Sequence, residues 1–120
     1  MIAAHIGEIL IVTGLLTMGA IAFVLIPAAM LKLVFGVAEP DAVTQTIARH
    51  WGLLLVLVGA LLVFARYHPE VRVPVIVVAA TEKLAIAALI LAGPLRRRPL
   101  PVMIASADVL MAILYLIALS

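Results

Sequence analysis

Residues 77–93 read VVAATEKLAIAALILAG. Apolar and small residues fill this run except near its start, where Glu82 and Lys83 stand side by side. With the apolar residues before it, the run is long enough to cross a bilayer, which takes about 20 apolar residues in a helix. Hydrocarbon leaves an open sheet edge unsatisfied, so a crossing element is expected to be helical. Charges near the centre of such a helix cost about 2.5–3.5 kcal/mol each on insertion scales, and they normally face inward and pair. The fold and any activity are therefore to be sought around this pair.

The whole chain repeats the pattern. Of its 120 residues 68% are hydrophobic and 12% charged, where an ordinary soluble domain is about half apolar and about a quarter charged. A soluble fold of this size could not cover that much apolar surface. The expected architecture is all-α: a single transmembrane four-helix bundle with antiparallel up-down topology. Its spans are expected over residues 6–33, 44–64, 73–92 and 101–119. Pro27 removes a backbone hydrogen bond and is expected to bend the first span. Gly36 suits a helix C-cap, and Pro40 with Asp41 suits the restart. The stretch MIAAHIGEIL has no Lys or Arg and reads as the start of the first span, not as a cleaved leader.

Charge sets the expected orientation. The first and third connections carry Lys32, Arg49, Arg96, Arg97 and Arg98, and the other side carries Arg66 and Arg72. The cation-rich side is expected in the cytoplasm, leaving both termini outside. The RRR run also suits anionic lipid headgroups. The net charge of +2 and pI near 9.5 are read as topology signals, with no nucleic-acid partner implied.

Depth follows from the helical rise. Glu82 lies roughly 16 Å, and Asp108 roughly 12 Å, from the cytoplasmic ends of their spans at about 1.5 Å per residue. Arg49 enters from the same side. Arg49, Gly52, Val56, Gly59 and Val63 share a face, a small-residue seam that permits close helix approach. Ala105, Asp108, Ala112 and Tyr115 share another. The expected pairing is Asp108 with Arg49 or with Lys83, leaving Glu82 toward an interior pocket or a neighbouring subunit. Pocket or buried-charge candidates are thus Glu82, Lys83, Asp108, Arg49, His50 and Tyr115. Two readings stay open: structural pairs that fix register, or a polar pocket for a lipophilic ligand or a proton.

Other chemistry finds little support. Cysteine is absent, which excludes thiolate catalysis and cysteine-held metals. His50 has no histidine partner at its depth, His5 and His68 being at the opposite side, so a haem is not expected. No metal site and no other cofactor are expected. His5 and Glu8 are one turn apart and form an expected surface pair. Trp51, Tyr67 and Tyr115, near span ends, suit interface anchoring.

IPAAMLKLVFG (26–36), ARHWGLLLVLVGALLVFARYHPEVR (48–72) and EKLAIAALIL (82–91) together resemble small bacterial four-helix membrane proteins of the broad DoxX-like kind. The resemblance rests on Pro27, Phe35, Gly36, Arg49, Gly52 and Gly59. It implies a four-helix bundle in the bacterial inner membrane, with some relatives acting as accessory subunits of quinone- or sulfur-linked redox complexes. The lack of cysteine sets this chain apart from the thiol chemistry tied to part of that group. The expected function is a non-catalytic subunit, or a bundle binding a quinone- or lipid-like molecule, partnered by a larger membrane complex or by further copies of itself. Alternatives are a membrane-embedded isomerase using Glu82 and Asp108 on an apolar substrate, and a small dimeric proton-coupled exporter.

Overall fold

A computed structural model describes residues 3–119, and every regular element among them is helical. Four helical stretches are long and apolar enough to cross a membrane: Ile6–Leu25, Ala42–Tyr67, Pro69–Ala92 and Pro99–Leu119.

The first stretch is not one helix. It comprises α1 (Ile6–Met18) and α2 (Ile21–Leu25), followed by α3 (Pro27–Met30) and a π-helical turn, Leu31–Phe35. Two causes are visible. Thr13 and Thr17 donate their hydroxyls to the carbonyls of Ile9 and Thr13, at 2.6 and 2.7 Å, back-bonding that bends helices. Gly19 and Ala20 then close with three-residue turns onto Leu16 and Thr17, and glycine holds a helix poorly. Further on, Ile26 sits at φ −135°, ψ 62°, because the proline ring of Pro27 disfavours the α region for the residue before it. Pro27 opens α3, where its missing N–H costs nothing. The single span expected to Leu33 with a bend at Pro27 is therefore corrected: the apolar helix ends at Leu25 and a separate segment follows. Gly36 ends that segment at φ 71°, and Val37 N–H reaches back to the Leu31 carbonyl, a glycine cap as expected.

The second stretch is α4 (Ala42–Tyr67), which starts before the expected Thr44. Asp41 caps it, its carboxylate accepting from the Thr44 backbone N–H at 2.7 Å. That bond holds the Asp41 carboxyl below its usual range. A carboxyl lowered by folding contributes stability above its ordinary value and loses it as pH falls through the lowered one. Amide-exchange protection at Thr44 should therefore weaken on acidification below the usual carboxylate range. Asp41→Asn, a cap that does not titrate, should remove that dependence. Beyond α4, Arg72 donates to the carbonyls of Ala65 and Arg66, at 2.8 and 2.7 Å, closing the helix end that His68 and Pro69 terminate. The remaining helices are α5 (Arg72–Ala92) and α6 (Pro99–Leu119).

The helices pack mainly as two pairs, α1 and α2 against α4, and α5 against α6. Small residues make both contacts close. A Cβ on Gly14 would fall 2.8 Å from the Gly59 carbonyl, and one on Gly52 2.8 Å from that of Ala20. Between α5 and α6, Ala87 and Ala105 are buried, and Ala79, Ala80 and Ala112 join Leu10, Leu62, Ile76 and Tyr115 in the main core. A second cluster of Phe23, Leu31, Val34 and Ala48 fills the other end of the bundle. Large apolar side chains also point outward, among them Leu16, Leu57, Leu89 and Met103.

Candidate functional site

Lys83 is the most deeply buried charged group among the described residues, at 2% exposure. It stands near the middle of α5, and its long side chain reaches across the seam between the two helix pairs. Nζ donates to Thr17 Oγ1 on α1 at 2.9 Å. It lies 3.5 Å from Asp108 Oδ1 on α6 and 3.9 Å from Glu82 Oε2 on its own helix. One ammonium thus ties three helices together. The geometry is demanding, because a buried charge is tolerable only when paired and hydrogen-bonded. Lys83 meets both conditions.

Glu82 does not. Its Oε2 is buried and accepts no hydrogen bond. Glu82, Lys83 and Asp108 line a half-open cavity of about 280 Å³ whose other walls are mostly apolar. Phe23 and Trp51 form its aromatic side, with ring centroids 4.9 Å apart in an edge-on arrangement. Ala107 and Met111 close it from α6. The break at Gly19 helps shape the space, since Gly19 and Ala20 both line it.

The expected candidates divide. Glu82, Lys83 and Asp108 come together at the cavity, and Asp108 pairs with Lys83. Arg49 does not join them. It is exposed, and its Nε donates to the Val24 carbonyl at 3.0 Å. That carbonyl belongs to the last turn of α2, whose onward bonds end at the Ile26–Pro27 break, so Arg49 caps a broken helix. The expected pairing of Arg49 with Asp108 is corrected accordingly. His50 is exposed and does not line the cavity. Tyr115 is fully buried in the main core beside Thr13; it does not line the cavity, and its hydroxyl has no well-aligned partner; an interface anchor it is not. Trp51 is half-buried between Phe23 and Phe35 and lines the cavity. Tyr67 stays exposed at the end of α4, and His5 meets Glu8 at 3.6 Å on the surface.

Thr13 and Thr17 were not expected. Their spacing of four puts two hydroxyls on one face of an apolar helix, a signal present in the sequence. Each donates its own proton to a backbone carbonyl, which leaves the Thr17 oxygen free to accept from Lys83.

Comparisons with protein-family models, with curated proteins and with solved structures found no match to this chain. The functional reading rests on the site alone.

Proposed function

We propose that this chain is a small polytopic protein of the bacterial inner membrane, of the DoxX-like kind, that binds the polar end of a lipophilic molecule without transforming it. The observation that carries this reading is the unsatisfied Glu82 carboxylate oxygen beside Lys83 and Asp108, on the wall of a mostly apolar cavity. Sites for small ligands are mostly apolar with a few placed polar groups, and ionisable groups within spans mark function by default. At about 280 Å³ the cavity is small for a whole ligand but suits the head of one whose tail lies in lipid.

Membrane insertion is supported by the outward apolar side chains, which water would not tolerate as a continuous surface. Antiparallel topology is supported by the pairing of positions on the first and second spans: Gly7 with Arg66, Gly14 with Gly59, Ala20 with Gly52. The Arg98 guanidinium packs over Gly36, consistent with the first and third connections sharing one side. On this reading that side is cytoplasmic. The chain has no native cysteine, so single variants report cleanly. An impermeant thiol reagent on intact cells should label His68→Cys and spare Arg97→Cys; the opposite pattern overturns the orientation.

Occupancy is testable through Ala107, which lines the cavity. Protein purified in mild detergent should release a lipophilic species on solvent extraction, identified by mass spectrometry. Ala107→Phe, which adds a ring at the cavity wall, should abolish it while the bundle still folds. Equal recovery from both proteins would remove the cavity from the account.

A further inference from the structure

We infer that the molecule held in this cavity is an amphipathic cation, an apolar body carrying one ammonium head, seated against Glu82. The inference rests on the cavity being a ligand site and adds the chemistry of the ligand. Donors come first. Lys83 places its ammonium on Thr17 at 2.9 Å and beside Asp108 at 3.5 Å, and it approaches Glu82 only to 3.9 Å. Glu82 Oε2 is left without a donor. Glu82 thus offers the site an acceptor, which a hydrogen-bond donor would satisfy.

Charge narrows the class. The ionisable cavity-lining residues are Glu82, Asp108 and Lys83, so two carboxylates against one ammonium leave a surplus of one negative charge when all are ionised. Arg49 is exposed, does not line the cavity and forms no ion pair with either carboxylate, its Nε lying on the Val24 carbonyl. A cationic head neutralises the surplus, a neutral head leaves it, and an anionic head doubles it in a medium that penalises each unpaired charge. Phe23 and Trp51 on the wall favour the same sign, since aromatic faces attract cations and desolvation strengthens that attraction. The open Glu82 acceptor with its surplus charge, and the aromatic wall, favour one class.

Three probes of one chain length separate the possibilities: dodecylamine, dodecanol and dodecanoate, titrated into the full chain in phosphatidylcholine nanodiscs near neutral pH. Trp51 is the only tryptophan in the sequence and lines the cavity, so its emission reports binding. Dodecylamine should bind saturably and at least about tenfold more tightly than dodecanol, a difference of about 1.4 kcal/mol. Dodecanoate should not bind, and Ala107→Phe should abolish the amine response. Glu82→Gln should weaken the amine at least about tenfold and leave dodecanol unchanged. If dodecanol or dodecanoate matches dodecylamine on the wild-type chain, and Ala107→Phe blocks it, the cationic class is overturned while the ligand cavity stands. If no probe gives a saturable response, or if Ala107→Phe changes nothing, both fall. Should Glu82→Gln fail to fold, the three-probe comparison on the wild-type chain still decides.

Discussion

Lys83→Met should lower the unfolding free energy by about 3–5 kcal/mol, the usual cost of removing one partner from a buried ion pair. Methionine keeps the length and apolar body of the side chain, so packing changes little. What is lost is the ammonium that ties Thr17, Asp108 and Glu82 together, leaving two carboxylates inside the bundle without a cation. Combining Lys83→Met with Asp108→Asn should recover part of the loss, with a coupling on the order of 1–3 kcal/mol. A mixed-micelle denaturant titration of the wild-type, single and double variants supplies the cycle. Arg49→Met serves as the contrast: it should show no coupling to Asp108→Asn, because Arg49 caps α2 and does not touch that carboxylate. Additive costs for Lys83 and Asp108 would dissolve the pair.

The second large effect is expected at Gly59. A Cβ there would lie 2.6 Å from the Gly14 carbonyl and 2.9 Å from the Met18 backbone nitrogen. Both are backbone atoms and cannot rotate aside, so α1 must move off α4. Within lipid there is little hydrophobic force between helices and close packing is what holds them, which makes the separation costly. Gly59→Leu should destabilise by at least about 1–3 kcal/mol, the usual range for overpacking, and should also loosen the Lys83–Thr17 bond, since Thr17 rides on α1. Ala60→Leu, one residue along on the exposed face, should be nearly neutral. Equal stability of the two variants would mean that the α1–α4 seam is not tight.

The sequence made the helices legible because their cause is local. Length, apolar content and the glycine and proline positions are read directly, and Gly36, Asp41 and the Gly52–Gly59 seam act as their residue types predict. It also gave the three charges of the site, because Glu82, Lys83 and Asp108 are conspicuous in runs with no other charge. Arg49 misled for a definite reason. Counting residues gives depth along a helix, whereas partner choice depends on rotation and on what the neighbouring chain leaves unsatisfied, here the Val24 carbonyl freed by the break before Pro27. The same break, with Gly19, shaped a cavity that a continuous first helix would not have. Trp51 lies where an interface anchor is expected, and the approach of Phe23 and Phe35 makes it part of the cavity wall. Thr13 and Thr17, four residues apart, mark a polar face in the sequence, but nothing local ties that face to Lys83, 66 residues on from Thr17.

The central claim is that Lys83 joins Asp108 inside the bundle, and isotope labelling tests it directly. The chain has two lysines, Lys32 and Lys83, and two aspartates, Asp41 and Asp108. Protein labelled with ¹⁵N at lysine Nζ and ¹³C at the aspartate carboxyl therefore gives few pairs to resolve. Solid-state dipolar recoupling in lipid bilayers should find one strong coupling, between Lys83 and Asp108, as a 3.5 Å Nζ–Oδ1 approach requires, and Lys83→Met should erase it. No coupling between Lys83 and Asp108 would contradict the site as described.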